Sequence, residues 1–226
     1  MIPPVQSPPV VVQKKSGLGC WGCGCIVLAL LVFLFVALVG GSLWFAYSAG
    51  RTLTSASAVA LTTTDGGDAM YQAAKQKIDD FQKQQAQRQP GSLHLSADEL
   101  NTLIARDPQY APIKDHVLVS IQNDQARVQA SIPLGQFEKW VYSDRYLNGD
   151  TTFTLHLDPN TKDLNIIFSQ IQLGDTPFKS DFLDGFNRSF SQSFNQRIKQ
   201  NAGINDFLNQ TTKFDVENNE LVIETQ

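Results

Sequence analysis

The most reactive side chains of the sequence are its three cysteines, Cys20, Cys23 and Cys25, grouped in the run Cys20-Trp21-Gly22-Cys23-Gly24-Cys25. Three thiolates at this spacing can bind a soft metal, but one chain supplies no fourth ligand for a closed tetrahedral site. They are also candidate acylation sites if they border a membrane. A lipoprotein signal is excluded, because its cysteine follows the apolar run and these precede it. The bland alternative is a set of small residues easing the chain into an apolar segment. The histidines, His94, His116 and His156, fall in three separate strand-like stretches, and a metal site would need them to converge with a carboxylate. Asp181 and Asp184 lie three apart near the start of a helical pattern, where acidic residues complement the helix dipole. No serine sits in a Gly-x-Ser-x-Gly elbow, no cysteine follows residue 25, and no glycine-rich phosphate loop is present. The expectation is a non-catalytic chain without cofactor or metal.

The elements that must position these residues are organised by one stretch. Cys25 to Tyr47 runs for 23 residues without a charge. As a helix it reaches roughly 34 Å, enough for a bilayer core of about 30 Å. Lipid offers backbone groups no partners, so only a helix can make this crossing alone. Lys14 and Lys15 precede the run and only Arg51 follows closely, which places the N-terminus in the cytoplasm and the remainder outside it. Trp21, Trp44 and Tyr47 stand where an interfacial aromatic belt would have them. The competing reading is a signal peptide cut after the small residues Ala46 and Ser48. Ala37 and Gly41 form a small-xxx-small pair through which two spans could approach as a homodimer.

Four regions follow from this. Residues 1–19, with Pro3, Pro4, Pro8 and Pro9, read as a disordered cytoplasmic tail. Residues 20–48 hold the span. Residues 49–90 are a Ser/Thr/Ala/Gly linker and a stalk helix. In that helix Asp68 is a candidate cap, Met70, Ala74, Ile78 and Phe81 form a narrow apolar stripe, and the early half is expected to dock. Its other faces are polar, and self-association through the stalk is a second route to a homodimer. Residues 91–226 are long enough for one domain with its own core.

Within that domain Ser96-Ala97-Asp98-Glu99 is a capping box for a short helix with Leu100, Leu103 and Ile104 inward, ended by Asp107-Pro108. Stretches 116–122 and 125–132 alternate about Asn123-Asp124 and predict a hairpin. A longer connection carries Phe137, Trp140, Val141 and Tyr146, with Asn148-Gly149 as a turn signal. Thr151 to Leu157 alternates strictly. In the next strand Leu164, Ile166 and Phe168 have one parity and Ile171 and Leu173 the other, so a bulge or two-sided burial is expected. Phe178, Phe182, Phe186, Phe190, Phe194 and Ile198 recur every fourth residue, predicting a long helix. Each step of four drifts about 40° on a 3.6-residue helix, so the stripe winds around it. Ala202-Gly203 reads as its end, Ile204, Phe207 and Leu208 suggest a further turn of helix, and a last hairpin turns at Asn218-Asn219. The fold class is α+β, an antiparallel sheet with the Phe-rich helix packed on it.

Leu95 to Ile104, the hairpin ending Ile132-Pro133-Leu134, and Arg145-Tyr146-Leu147-Asn148-Gly149 together resemble the YpmS-like bacterial proteins. The similarity covers roughly residues 92–226. It implies a single-pass, N-terminally anchored envelope protein of largely unknown activity and brings no catalytic residue with it.

The net charge of −4, with no long run of either sign, gives no footprint for nucleic acid. Two functional classes remain. One is a membrane-anchored extracytoplasmic binding or assembly module that meets another envelope protein. The other is a lipid- or apolar-ligand-binding domain, with part of the phenylalanine stripe lining a groove instead of a closed core.

Overall fold

The computed structural model describes residues 54–62, 64–136 and 145–226. Among these, no helix is long and apolar enough to cross a membrane. The stretch Cys25 to Tyr47, the aromatic residues Trp21 and Trp44, the cysteine cluster, and Phe137, Trp140 and Val141 all lie outside the described residues.

The α+β reading holds. Helix α1 (Gly67–Ala86) leads into strand β1 (Gly91–Ser96), helix α2 (Ala97–Arg106) and a hairpin of β2 (Val117–Gln122) and β3 (Gln125–Pro133). Then come β4 (Tyr146–Leu157), β5 (Leu164–Leu173), the two-residue β6 (Thr176–Pro177), helix α3 (Ser180–Gln200), helix α4 (Ala202–Gln210), and a final hairpin of β7 (Thr211–Glu217) and β8 (Glu220–Thr225). The strands make two sheets, of order β1-β8-β7 and β2-β3-β4-β5-β6, and every pairing is antiparallel. One continuous core joins Phe81 of α1, Leu95 of β1, Leu100 of α2, Phe153 and Phe168 of β4 and β5, Phe194 of α3 and Phe214 of β7. Full burial of such a side chain stabilises by about 1.5–3 kcal/mol.

Several local expectations hold for the reasons given. Ser96 Oγ accepts from Glu99 N at 3.2 Å and Glu99 Oε2 accepts from Ser96 N at 2.9 Å, which closes the capping box. Asn123 and Asp124 take positive φ, 52° and 59°, as a two-residue hairpin turn requires. The parity switch in β5 is a bulge. Phe168 pairs with Phe153 and Gln170 with Thr152, so Ser169 is the extra residue and Ile171 returns to the core side.

Other expectations need correction. Asn148-Gly149 is not a turn but lies inside β4, paired with Ser131 and Ala130 of β3. The Asn148 side chain accepts from Ser131 Oγ and donates to Ser57 O, so the turn-forming residue is held in the sheet by neighbours distant in sequence. The further turn of helix expected at Ile204, Phe207 and Leu208 is present as α4, but Ala202-Gly203 is not the cap that ends α3. Asn201 ends α3 and caps α4 by accepting from Ile204 N at 3.2 Å, and both residues fall in α4. Asp68 is not a cap. Asp65 accepts from Gly67 N at 2.9 Å, and α1 starts at Gly67, two residues earlier than a cap at Asp68 would start it, which leaves Asp68 in the first turn. The stalk docks beyond its early half, since Ala74 and Phe81 are both buried in the common core.

Candidate functional site at the open end of the aromatic ladder

Helix α3 runs antiparallel beside β5, the strand whose outer edge would otherwise be open over most of its length. Its contact is built from two stripes one residue apart: Phe186-Asn187, Phe190-Ser191 and Phe194-Asn195. Four residues of helix advance about 6.0 Å and two residues of strand about 6.6 Å, so one side chain per fourth helical position meets every second strand residue. Asn187 accepts from Phe168 N at 2.9 Å and donates to Phe168 O at 3.0 Å. Ser191 Oγ donates to Ile166 O at 3.3 Å. Asn195 accepts from Leu164 N at 2.9 Å and donates to Leu164 O at 3.0 Å. Each carboxamide offers the donor–acceptor pair that a neighbouring strand would supply.

The same device closes the opposite edge of this sheet. Asn101 on α2 accepts from Val119 N at 2.8 Å and donates to Val119 O at 2.7 Å on β2. Helix-borne carboxamides thus stand at both edges of the five-stranded sheet, where unpaired backbone would invite another strand. These residues escaped the sequence reading. A second period-four stripe of Asn and Ser is visible beside the phenylalanines, but nothing local marks it as a strand clamp.

The phenylalanines form a ladder with two different ends. Phe182, Phe186, Phe190 and Phe194 stack with centroid separations of 6.0, 5.5 and 5.4 Å, and Phe168 of β5 meets Phe186 and Phe190 edge-on at 5.5 and 5.2 Å. Phe194 and Ile198 are buried, Phe186 and Phe190 half-buried, and Phe182 is 53% exposed with Phe178 edge-on to it at 4.8 Å. The winding accounts for this. From Phe194 back to Phe182 there are three steps of four residues, about 120° of rotation, which carries the ring from core to solvent.

The open end coincides with the place where the N-terminal chain joins the domain. Beyond Leu173, which pairs with Gly149, β5 stops flanking β4. Ser55 takes the vacated lane and exchanges both backbone bonds with Tyr146 at 2.9 Å. Arg145 donates to Thr54 through Nε to the hydroxyl and Nη2 to the carbonyl, each at 2.5 Å. Gly174 N donates to Asn148 O at 2.7 Å and Phe178 N to Ile171 O at 2.8 Å. Phe178, Phe182 and the linker therefore share one end of the sheet.

The polar groups are tied elsewhere. His94 lies between Ser92 Oγ (2.8 Å from Nε2) and Glu220 Oε2 (3.2 Å from Nδ1). This has the contact order of a nucleophile–base–carboxylate relay, produced by residues two apart on β1 and a cross-strand glutamate. It lies on an exposed face, with the histidine and glutamate side chains 46% and 37% accessible, so water screens the pair. His156 Nδ1 meets Asp215 Oδ1 at 2.6 Å, and the His116 carbonyl accepts from Ser131 N. Among the described residues no group of three or more His, Cys, Asp or Glu side chains could hold a metal ion. Asp181 and Asp184 are exposed on the first turns of α3. A polar cleft of about 630 Å³ is lined by Asp65, Asp68, Tyr71, Arg106, Lys114 and Asp115, among others. Arg106 grips Asp65 through Nη2 at 2.8 Å and also bonds Asp68. The Arg106 hydrogen bond, then the Gly67 N–H, holds the Asp65 carboxyl below its ordinary value. Burial, then the nearby Asp107 charge, pushes the Tyr71 hydroxyl up and keeps it protonated. This cluster latches the linker to α2.

Comparisons with protein families, with curated proteins and with solved structures return no match.

Proposed function

We propose that the chain is a membrane-anchored extracytoplasmic binding or assembly module of a bacterial envelope, held by the uncharged stretch Cys25 to Tyr47 and carrying no catalytic role of its own. The observation that carries the reading is the coincidence of the open aromatic end, Phe178 and Phe182, with the point where the linker from that stretch joins the sheet. The resemblance to YpmS-like anchored proteins agrees with it, and Asn101, within the stretch that carries that resemblance, clamps β2. The partner-facing surface is the outer face of β4 and β5, where Ile167 is 56% exposed among polar neighbours. On this reading a protein partner in the envelope docks there.

The test is topology first. Full-length chain should remain in the membrane pellet after alkaline washing, and protease applied to intact spheroplasts should cut beyond residue 54. Recovery in the aqueous fraction, or full protection of residues 54–226 under conditions that digest a known external protein, refutes it.

A lipid- or apolar-ligand-binding role is the second reading, favoured by the half-buried Phe186 and Phe190 lying between an open and a closed end of the ladder. Native mass spectrometry of the full-length chain released from lipid nanodiscs separates the two. A lipid retained by the wild type and lost on Phe186→Ala supports this second role, and no retained lipid removes it.

A further inference from the structure

We propose that Phe182, with Phe178 beside it, rests in the headgroup–acyl boundary of the bilayer, so that the domain docks on the membrane by the open end of its aromatic ladder. The inference rests on the anchored reading above and adds a pose and a lipid-contacting residue to it.

The argument begins with reach. Seven residue steps separate Tyr47, at the close of the uncharged stretch, from Thr54, and even fully extended they span at most about 25 Å. Thr54 and Ser55 are hydrogen-bonded to Arg145 and Tyr146, so the tether holds that end of the domain near the interface. That end is where β5 gives way to the linker, and where Gly174 leads the chain into Phe178 and α3. The opposite end of β4 lies roughly 36 Å away, eleven residues at about 3.3 Å each.

Chemistry points the same way. Phe182 is a large apolar side chain, 53% exposed, at the first turns of a helix whose other phenylalanines are at least half-buried. Within seven residues of it along the chain, Lys179 and Arg188 stand against Asp175, Asp181 and Asp184, so the local charges give no net attraction to anionic headgroups. The contact is therefore apolar. One aromatic pair would hold a free domain to a bilayer only weakly. A short tether raises its effective concentration at the surface to the order of millimolar, and the same contact then populates the docked pose.

The experiment uses the full chain reconstituted in phosphatidylcholine vesicles, with a benzophenone amino acid replacing Phe182 or, as a control, the exposed turn residue Asn160 at the far end of β4 and β5. Illumination followed by mass spectrometry should give lipid adducts at 182 in clear excess over 160. The excess should persist when part of the phosphatidylcholine is replaced by phosphatidylglycerol. Absence of lipid adducts at 182, or equal yields at both positions, overturns the pose while the chain still floats with the vesicles. Adducts to a second copy of the chain in place of lipid also overturn it and assign the ladder end to a dimer. Failure to float after alkaline washing removes the anchored reading itself, and the pose with it.

Discussion

Replacing Asn195 by alanine separates the clamp from everything else that α3 does. The side chain is 9% exposed and forms two bonds with Leu164, plus one from Nδ2 to Ser191 O at 3.0 Å. Alanine leaves the N–H and C=O of Leu164 without the side chain that pairs them. Each buried group left unpaired costs about 1–3 kcal/mol, or about 2–6 for the two. Alanine is the better helix former by roughly 0.5 kcal/mol, so the net loss is about 2–5 kcal/mol. For a chain of this size that corresponds to a melting temperature lower by roughly 5–15 °C. Urea unfolding of residues 54–226 measures the loss, and hydrogen exchange reads the Leu164 amide directly. The control is Asn209→Ala on α4, where the side chain is exposed. If Asn195→Ala unfolds at the same urea concentration as Asn209→Ala and Leu164 keeps its protection, the edge-clamp argument fails.

The opposite clamp should behave alike: Asn101→Ala removes both side-chain partners of Val119 and is expected to cost a similar amount, with faster exchange at the Val119 amide. The two ends of the aromatic ladder should differ sharply. Phe194→Ala, at 4% exposure, should destabilise by about 3–5 kcal/mol in chemical unfolding, whereas Phe182→Ala should stay within about 1 kcal/mol of the wild type. The Asp65–Arg106 latch predicts an acid dependence. The Asp65 carboxyl sits below its ordinary 3.8, so its contribution is complete above that value and is lost as pH falls through the lower folded value. An NMR titration should place the Asp65 midpoint below 3.8, and Arg106→Ala should move it back up.

Features with a local cause are legible in the sequence. The capping box at Ser96 and Glu99, the Asn123-Asp124 turn and the parity break in β5 each depend on residues within a few positions of one another. The period-four phenylalanine stripe also announces its own winding, and the exposed Phe182 is the consequence. Asn148-Gly149 misleads because its turn propensity is overridden by Ser131 and Ser57, partners far away in the chain. Asn187, Ser191, Asn195 and Asn101 are invisible as a set for the same kind of reason. A carboxamide reads as a solvated helix face until tertiary packing lays it against a strand edge.

The amino-acid pattern by itself determined an α+β chain with a long aromatic helix, antiparallel hairpins and an uncharged stretch ahead of them, because periodicity and turn chemistry are short-range. Only the tertiary structure decided that the strands divide into two sheets, that helical asparagines stand in for missing strands at both edges of the larger one, and that the open end of the ladder lies at the same end of the sheet as the incoming linker. Those outcomes rest on pairings between segments tens of residues apart. Such pairings are fixed by which surfaces bury together, and no local window of the chain contains that information.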